Sequence, residues 1–95
     1  MVYIRYVFEF DSMKSIANRL KHGIDFFTAQ KLWEGPIVRL QAPYSNEARE
    51  FVIGKIGFES WTAVVTYRDE KIRLISVRRS REKEKAFYEF RTNNS

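Results

Sequence analysis

Arg73, Arg78, Arg79 and Arg81 crowd into one short stretch near the C-terminus, with Tyr88 close behind and a single histidine, His22, far upstream. Arginine offers a planar fork of donors suited to phosphoryl oxygens, while tyrosine and histidine can move a proton or stack on a base. These types fit phosphodiester chemistry on RNA, which brings its own nucleophile in the 2′-hydroxyl. A protein cutting RNA that way has to remove the hydroxyl proton, offset the extra charge on phosphorus and protonate the leaving oxygen, and it needs no metal ion to do so. Other chemistries lack their residues. There is no Cys, only one His and no HxxxH, HxH or DxD spacing, which argues against a thiolate nucleophile, a disulfide frame or a catalytic metal centre. The four glycines are scattered, no phosphate-cradling glycine loop is present, and no nucleophile-elbow pattern surrounds a serine. No cofactor is expected.

The charge distribution points the same way. The formal charge is +5, and residues 68–95 hold nine Lys and Arg against five Asp and Glu, whereas residues 35–67 are balanced. A one-sided basic surface attracts polyanions, nucleic acid above all, although a solvated basic helix would have the same composition. Ninety-five residues with 44% hydrophobic and 16% aromatic content suit one small domain, read as residues 1–91 with 92–95 as a frayed tail. So small a domain buries little more than about 60% of its unfolded surface, which makes a covering partner plausible. No apolar run approaches the roughly 18 residues that cross a bilayer, and Arg5, Glu9 and Asp11 break any signal-peptide pattern, so a cytoplasmic protein is expected.

The elements that must position these residues follow from periodicity. Residues 2–10 alternate as a strand with Ile4, Tyr6, Phe8 and Phe10 on its apolar face. Asp11 sits as a helix cap, Met13, Ile16, Ala17 and Leu20 form an apolar stripe, and Gly23 closes the helix, predicting residues 12–22. Asp25 caps a second, shorter helix with Phe26, Ala29, Leu32 and Trp33, ended by Gly35-Pro36. Strands are then predicted at 37–40, 50–54, 60–67 and 72–78, the last two joined as a hairpin, with the polar loop QAPYSNEA between the first two. Ser80 can cap a final helix with Ala86, Phe87 and Phe90 as its apolar stripe. The order β-α-α-β-β-β-β-α implies an α+β domain with an antiparallel sheet. On strict alternation Arg78 shares a face with Ile72, Leu74 and Ser76, and Arg73 and Arg79 take the other.

Particular strings carry a resemblance. FEFD at 8–11, KHGIDF at 21–26 followed by Ala29, REFVIG at 49–54, TAVVTY at 62–67 and IRLISVRRSREKEKAFYE at 72–89 together resemble the BrnT family of bacterial toxins, in order and over nearly the whole chain. Phe10 departs from a position that is often Trp there, and Val77 and Arg79 from positions often Ala and variable. The resemblance implies a RelE-like fold and a metal-independent ribonuclease that cleaves cellular RNA and arrests growth as the toxin of a type II pair. Its partner would be a BrnA-like antitoxin with a ribbon-helix-helix part, in a complex of two toxins and two antitoxins that binds operator DNA and represses its own operon.

Site residues follow from both arguments. Arg49 stands where the family has an Arg ahead of its IG and could clamp a phosphoryl group, or pair with Glu47 or Glu50 on the surface. Arg78 falls on the ISxR position and is expected as the transition-state cation. Lys21 and His22 lie in the KHG stretch, with His22 a candidate acid or base, or simply a cation at a helix C-terminus, where such charges contribute about 0.3 to 1 kcal/mol. Lys55, Arg79, Arg81 and Tyr88 are expected to hold substrate, and Glu84 matches the late motif as an ion-pair partner. A non-catalytic basic module that binds nucleic acid is the competing reading.

Overall fold

The computed structural model describes residues 5–43 and 48–93. Expectations for residues 2–4, for the middle of the polar loop and for Glu47 as a partner of Arg49 lie outside the described residues. The elements are β1 (Phe8–Glu9), α1 (Ser12–His22), α2 (Phe26–Ala29) running into a 3-10 turn (Gln30–Glu34), β2 (Val38–Gln41), β3 (Arg49–Ile56), β4 (Glu59–Arg68), β5 (Lys71–Arg79) and α3 (Glu82–Asn93). The expected α+β order holds, and α3 extends through Asn93, into the stretch expected to fray.

The five strands form one sheet in the order β1-β5-β4-β3-β2. The β2 to β5 run is antiparallel, as consecutive strands joined by short turns must be, but β1 lies parallel to β5 with Phe8 opposite Ile72 and Glu9 opposite Arg73. The sheet is thus mostly rather than wholly antiparallel, because the chain between its first and last sheet neighbours includes helices that return it to the same end.

One sheet face carries the main core. Val52, Ala63, Val65, Leu74 and Val77 pack against Phe26, Ala29 and Leu32 from α2 and the 3-10 turn. Asp25 caps α2 by accepting from the Thr28 N–H at 2.7 Å, as expected. Gly54 lets β3 approach that turn closely: a Cβ there would meet Leu32 Cδ2 at 3.2 Å and Ile37 Cγ2 at 3.3 Å. Among the described residues the opposite face is covered only at one end, where Tyr88 of α3 packs with Val38 and Ile53 and donates its hydroxyl to the Pro36 carbonyl at 2.9 Å.

Helix α1 is placed differently from the expectation. Asp11 accepts from the Met13 and Lys14 N–H groups and Gly23, at φ +82°, ends the helix, so both caps are where the sequence put them. Yet the residues it buries are Ser15 and Asn18, while Met13, Ile16 and Leu20 are 70%, 55% and 84% exposed. The reason is what α1 packs against. Asn18 donates to the Val77 carbonyl at 2.9 Å and accepts from the Val77 N–H at 3.1 Å, completing the hydrogen bonding of β5 beyond the end of the two-residue β1. A strand edge presents amide groups, so the polar side of the helix turns inward.

Candidate active site

Of the expected site cations, the half-covered sheet face holds Arg49 and Arg78, and Arg73 of the same basic cluster lies with them. Register places Glu9 of β1, Arg73 of β5, Thr66 of β4 and Arg49 of β3 in one row across four strands. The next row holds Ser76, Val64 and Phe51, and the one after it Arg78, Thr62 and Ile53. Glu9, Arg49, Phe51, Thr66, Arg73, Ser76 and Arg78 are all half-buried, and among the described residues no helix lies over the Arg49 end.

This arrangement corrects the expected parity of β5. Pairing shifts between Val64 and Val65, where Val64 faces Ser76 but Val65 faces Leu74, leaving Ile75 as an extra residue. A bulge of one residue inverts which face every later side chain takes. Arg78 therefore shares its face with Arg73 rather than with Ile72 and Leu74, and Arg79 lies on the core face. The sign is legible in hindsight: Ser76-Val77 breaks the alternation that Ile72 and Leu74 begin.

Arg78 is held tightly. Its two terminal nitrogens each donate to one oxygen of Glu84 at 2.8 Å, its guanidinium lies 5.7 Å from the centre of the Phe51 ring, and the two side chains are only 19% and 11% exposed. Glu84 also accepts from the Arg81 N–H at 2.8 Å and from Thr62 Oγ1 at 3.0 Å. Burial opposes charge on Glu84, but these hydrogen bonds outweigh it and pull the carboxyl down to about 2. Arg78 is in turn raised by its bond to Glu84.

The same contact settles how α3 begins. The Lys85 N–H donates to the Arg81 carbonyl, so Arg81 rather than Ser80 is the cap, and Glu84 reaches back to its N–H in the manner of a capping box. Ser80 is instead buried, accepting from Ser60 Oγ at 2.9 Å and lying 2.9 Å from Thr62 Oγ1. Because Thr62 spends its proton on Glu84, Ser80 must donate to Thr62, which gives a directed chain from Ser60 through Ser80 and Thr62 to the carboxylate.

Three expected substrate-binding residues also come together. Lys55, Arg79 and Tyr88, with Lys85 and the fully exposed Phe58 of the β3–β4 turn, line a groove of about 230 Å³ at the end of the sheet. Each cation there has a carboxylate nearby: Lys55 meets Glu89 at 2.9 Å, Arg79 pairs with Glu59 and stacks over Trp61, and Lys85 meets Glu82 at 3.4 Å. Arg81 is exposed beside this groove at the head of α3. Lys21 and His22 end α1, one turn past the Asn18 that grips β5, at the outer side of the sheet. Arg49 is two strands further in, about 10 Å by strand spacing alone.

Glu9 is the residue that sequence reasoning missed, and Arg73, counted there only in the basic cluster, is its neighbour. Glu9 Oε1 is buried without a hydrogen-bond partner among the described residues and lies 3.6 Å from Arg73 Nη1. Among the described residues, no three His, Cys, Asp or Glu side chains converge as a metal site requires, and no helix is long and apolar enough to cross a membrane. Residues 10–84 match the family model for BrnT, the ribonuclease toxin of type II toxin–antitoxin systems. The chain belongs to the BrnT family. Comparison with curated proteins gave no match. The BrnT match spans Arg49, Arg73, Arg78 and Glu84 and stops short of Tyr88. As a BrnT toxin the chain is a ribonuclease paired with a protein antitoxin.

Proposed function

We propose that the protein is a metal-independent endoribonuclease whose reaction runs on the open sheet face, cleaving cellular RNA in the cytoplasm and so halting translation and growth. The observation that supports this reading most is the row Glu9, Arg73, Thr66, Arg49 on one sheet face, in which the half-buried Glu9 carboxylate lies 3.6 Å from Arg73 and Arg49 stands two strands beyond Arg73. Glu9 takes the proton of the 2′-hydroxyl as that oxygen attacks phosphorus. Arg73 and Arg49 hold the nonbridging oxygens as charge builds on them, and the bond to the 5′ oxygen breaks as that oxygen takes a proton from water. Arg78, fixed by Glu84 above Phe51, borders the site, and the groove of Lys55, Arg79 and Tyr88, with Arg81 beside it, receives the continuing strand. Lys21 and His22 have no step in this scheme, being held at the outer side of the sheet. Neutralisation is by a BrnA-like ribbon-helix-helix antitoxin, in a complex of two toxins and two antitoxins that binds operator DNA.

The test is cleavage of a defined single-stranded RNA in excess EDTA, with the new ends identified. Parent protein should leave cyclic or 3′-phosphate ends. Glu9→Gln and Arg73→Ala should each lower turnover at least about 100-fold while changing RNA affinity only a few-fold. Intact RNA that is nevertheless bound in a salt-dependent way would replace this reading with that of a non-catalytic nucleic-acid-binding module.

A further inference from the structure

Helix α1 presents an apolar stripe to solvent that its own fold does not use. Met13, Ile16 and Leu20 follow one another at helical spacing and are 70%, 55% and 84% exposed, and Phe27 on α2, which packs against α1, is 74% exposed. Ile16 and Leu20 form part of a groove of about 520 Å³ that also includes Ser15, Arg19 and Asp25. Attachment of the helix is complete without the stripe, since Asn18 bonds Val77 and the Ser15 hydroxyl accepts from the Phe26 N–H at 2.9 Å. Apolar side chains in such a row mark a contact surface rather than scattered exposure.

The flanking charges specify what fits. Lys14, Arg19 and Lys21 are exposed along α1, and the helix carries no carboxylate. The two nearest acids, Asp11 and Asp25, are engaged as caps by backbone N–H groups at the helix ends. A second copy docking by two-fold symmetry would set cations against cations. We infer that the α1 stripe is the docking surface for an acidic amphipathic segment of the protein antitoxin, its apolar residues against Met13, Ile16 and Leu20 and its carboxylates against Lys14 and Arg19. This rests on the reading that an antitoxin neutralises the protein by binding it. The surface lies at the outer side of β5, the edge of the sheet that β1 also occupies.

The experiment measures binding of the antitoxin encoded in the same operon to the parent, to an Ile16→Glu/Leu20→Glu variant and to a Lys14→Glu/Arg19→Glu variant. Thermal melting and RNA cleavage are followed in parallel. The apolar pair should lose at least 100-fold in affinity and the charge pair about 10-fold, the latter with weaker salt dependence, while all three proteins melt alike and cleave RNA alike. Binding of the apolar variant within threefold of the parent overturns the docking surface and leaves the antitoxin reading standing. A change in self-association with unchanged antitoxin binding overturns it in favour of a second copy. A parent that binds no antitoxin overturns both readings, and the cleavage assay then reports on the ribonuclease separately.

Discussion

Glu84 joins three parts of the molecule through one carboxylate: the Arg78 guanidinium on β5, the Thr62 hydroxyl on β4 and the N–H that opens α3. Replacing it with Gln keeps an acceptor for two of these but leaves the Arg78 charge in a mostly enclosed place without its partner. Glu84→Gln should therefore cost about 2 kcal/mol, a mutant penalty below that of a fully buried pair because part of the site is wet. Urea unfolding at neutral pH measures it. The pH dependence has a definite sign. The carboxyl sits at about 2 when folded against 4.5 ordinarily, so its stabilising contribution is complete above 4.5 and fades as pH falls toward about 2. Parent and variant stabilities should converge over that window; an undiminished gap at its acid end would rule out this pair as the cause.

At the scale of elements, the turns show where local geometry is under load. Asp69 and Glu70 join β4 to β5 with φ of 52° and 65°, the left-handed pair that a two-residue hairpin turn demands and that Glu resists more than Asp, Asn or Gly. Changing them to Asn-Gly should stabilise the protein by about 0.5 to 1 kcal/mol, read as a higher urea midpoint with an unchanged slope. The hairpin itself was legible, because alternating Ser60–Tyr67 and Ile72–Arg78 stretches around a polar break can hardly do otherwise. The caps at Asp11, Gly23 and Asp25 were legible for the same reason, each being a local hydrogen-bond requirement. What was not legible depended on distant neighbours. The extra residue Ile75 inverts the second half of β5, and it alone moves Arg73 and Arg78 onto one face. Helix α1 has a stripe that reads as core, yet a strand edge needs amide partners, so Asn18 and Ser15 face inward instead. Glu9 could be valued only once β1 was known to lie beside Arg73.

Across the whole molecule, the net charge of +5 comes from 17 Lys and Arg against 12 Asp and Glu, and several of the cations are paired. Arg39, Lys55, Arg73, Arg78, Arg79 and Lys85 each have a carboxylate within ion-pair reach. Such a surface is expected to hold RNA locally rather than wrap it. With about three phosphates neutralised, single-stranded RNA affinity should fall with a log–log salt slope near −2, roughly 20-fold between 50 and 200 mM salt. Filter binding over that range measures it, and a slope of −5 or steeper would mean that the basic surface binds as a whole.

The Asn18 contact also shields an edge of the sheet. Beyond Phe8 and Glu9, β5 would be an open template onto which another chain could add its own strand, the usual first step toward fibrous aggregates. By offering one side-chain amide in place of a neighbouring backbone, Asn18 withholds that template at Val77. A second copy of the chain therefore finds one fewer pair of free backbone groups at which to extend the sheet.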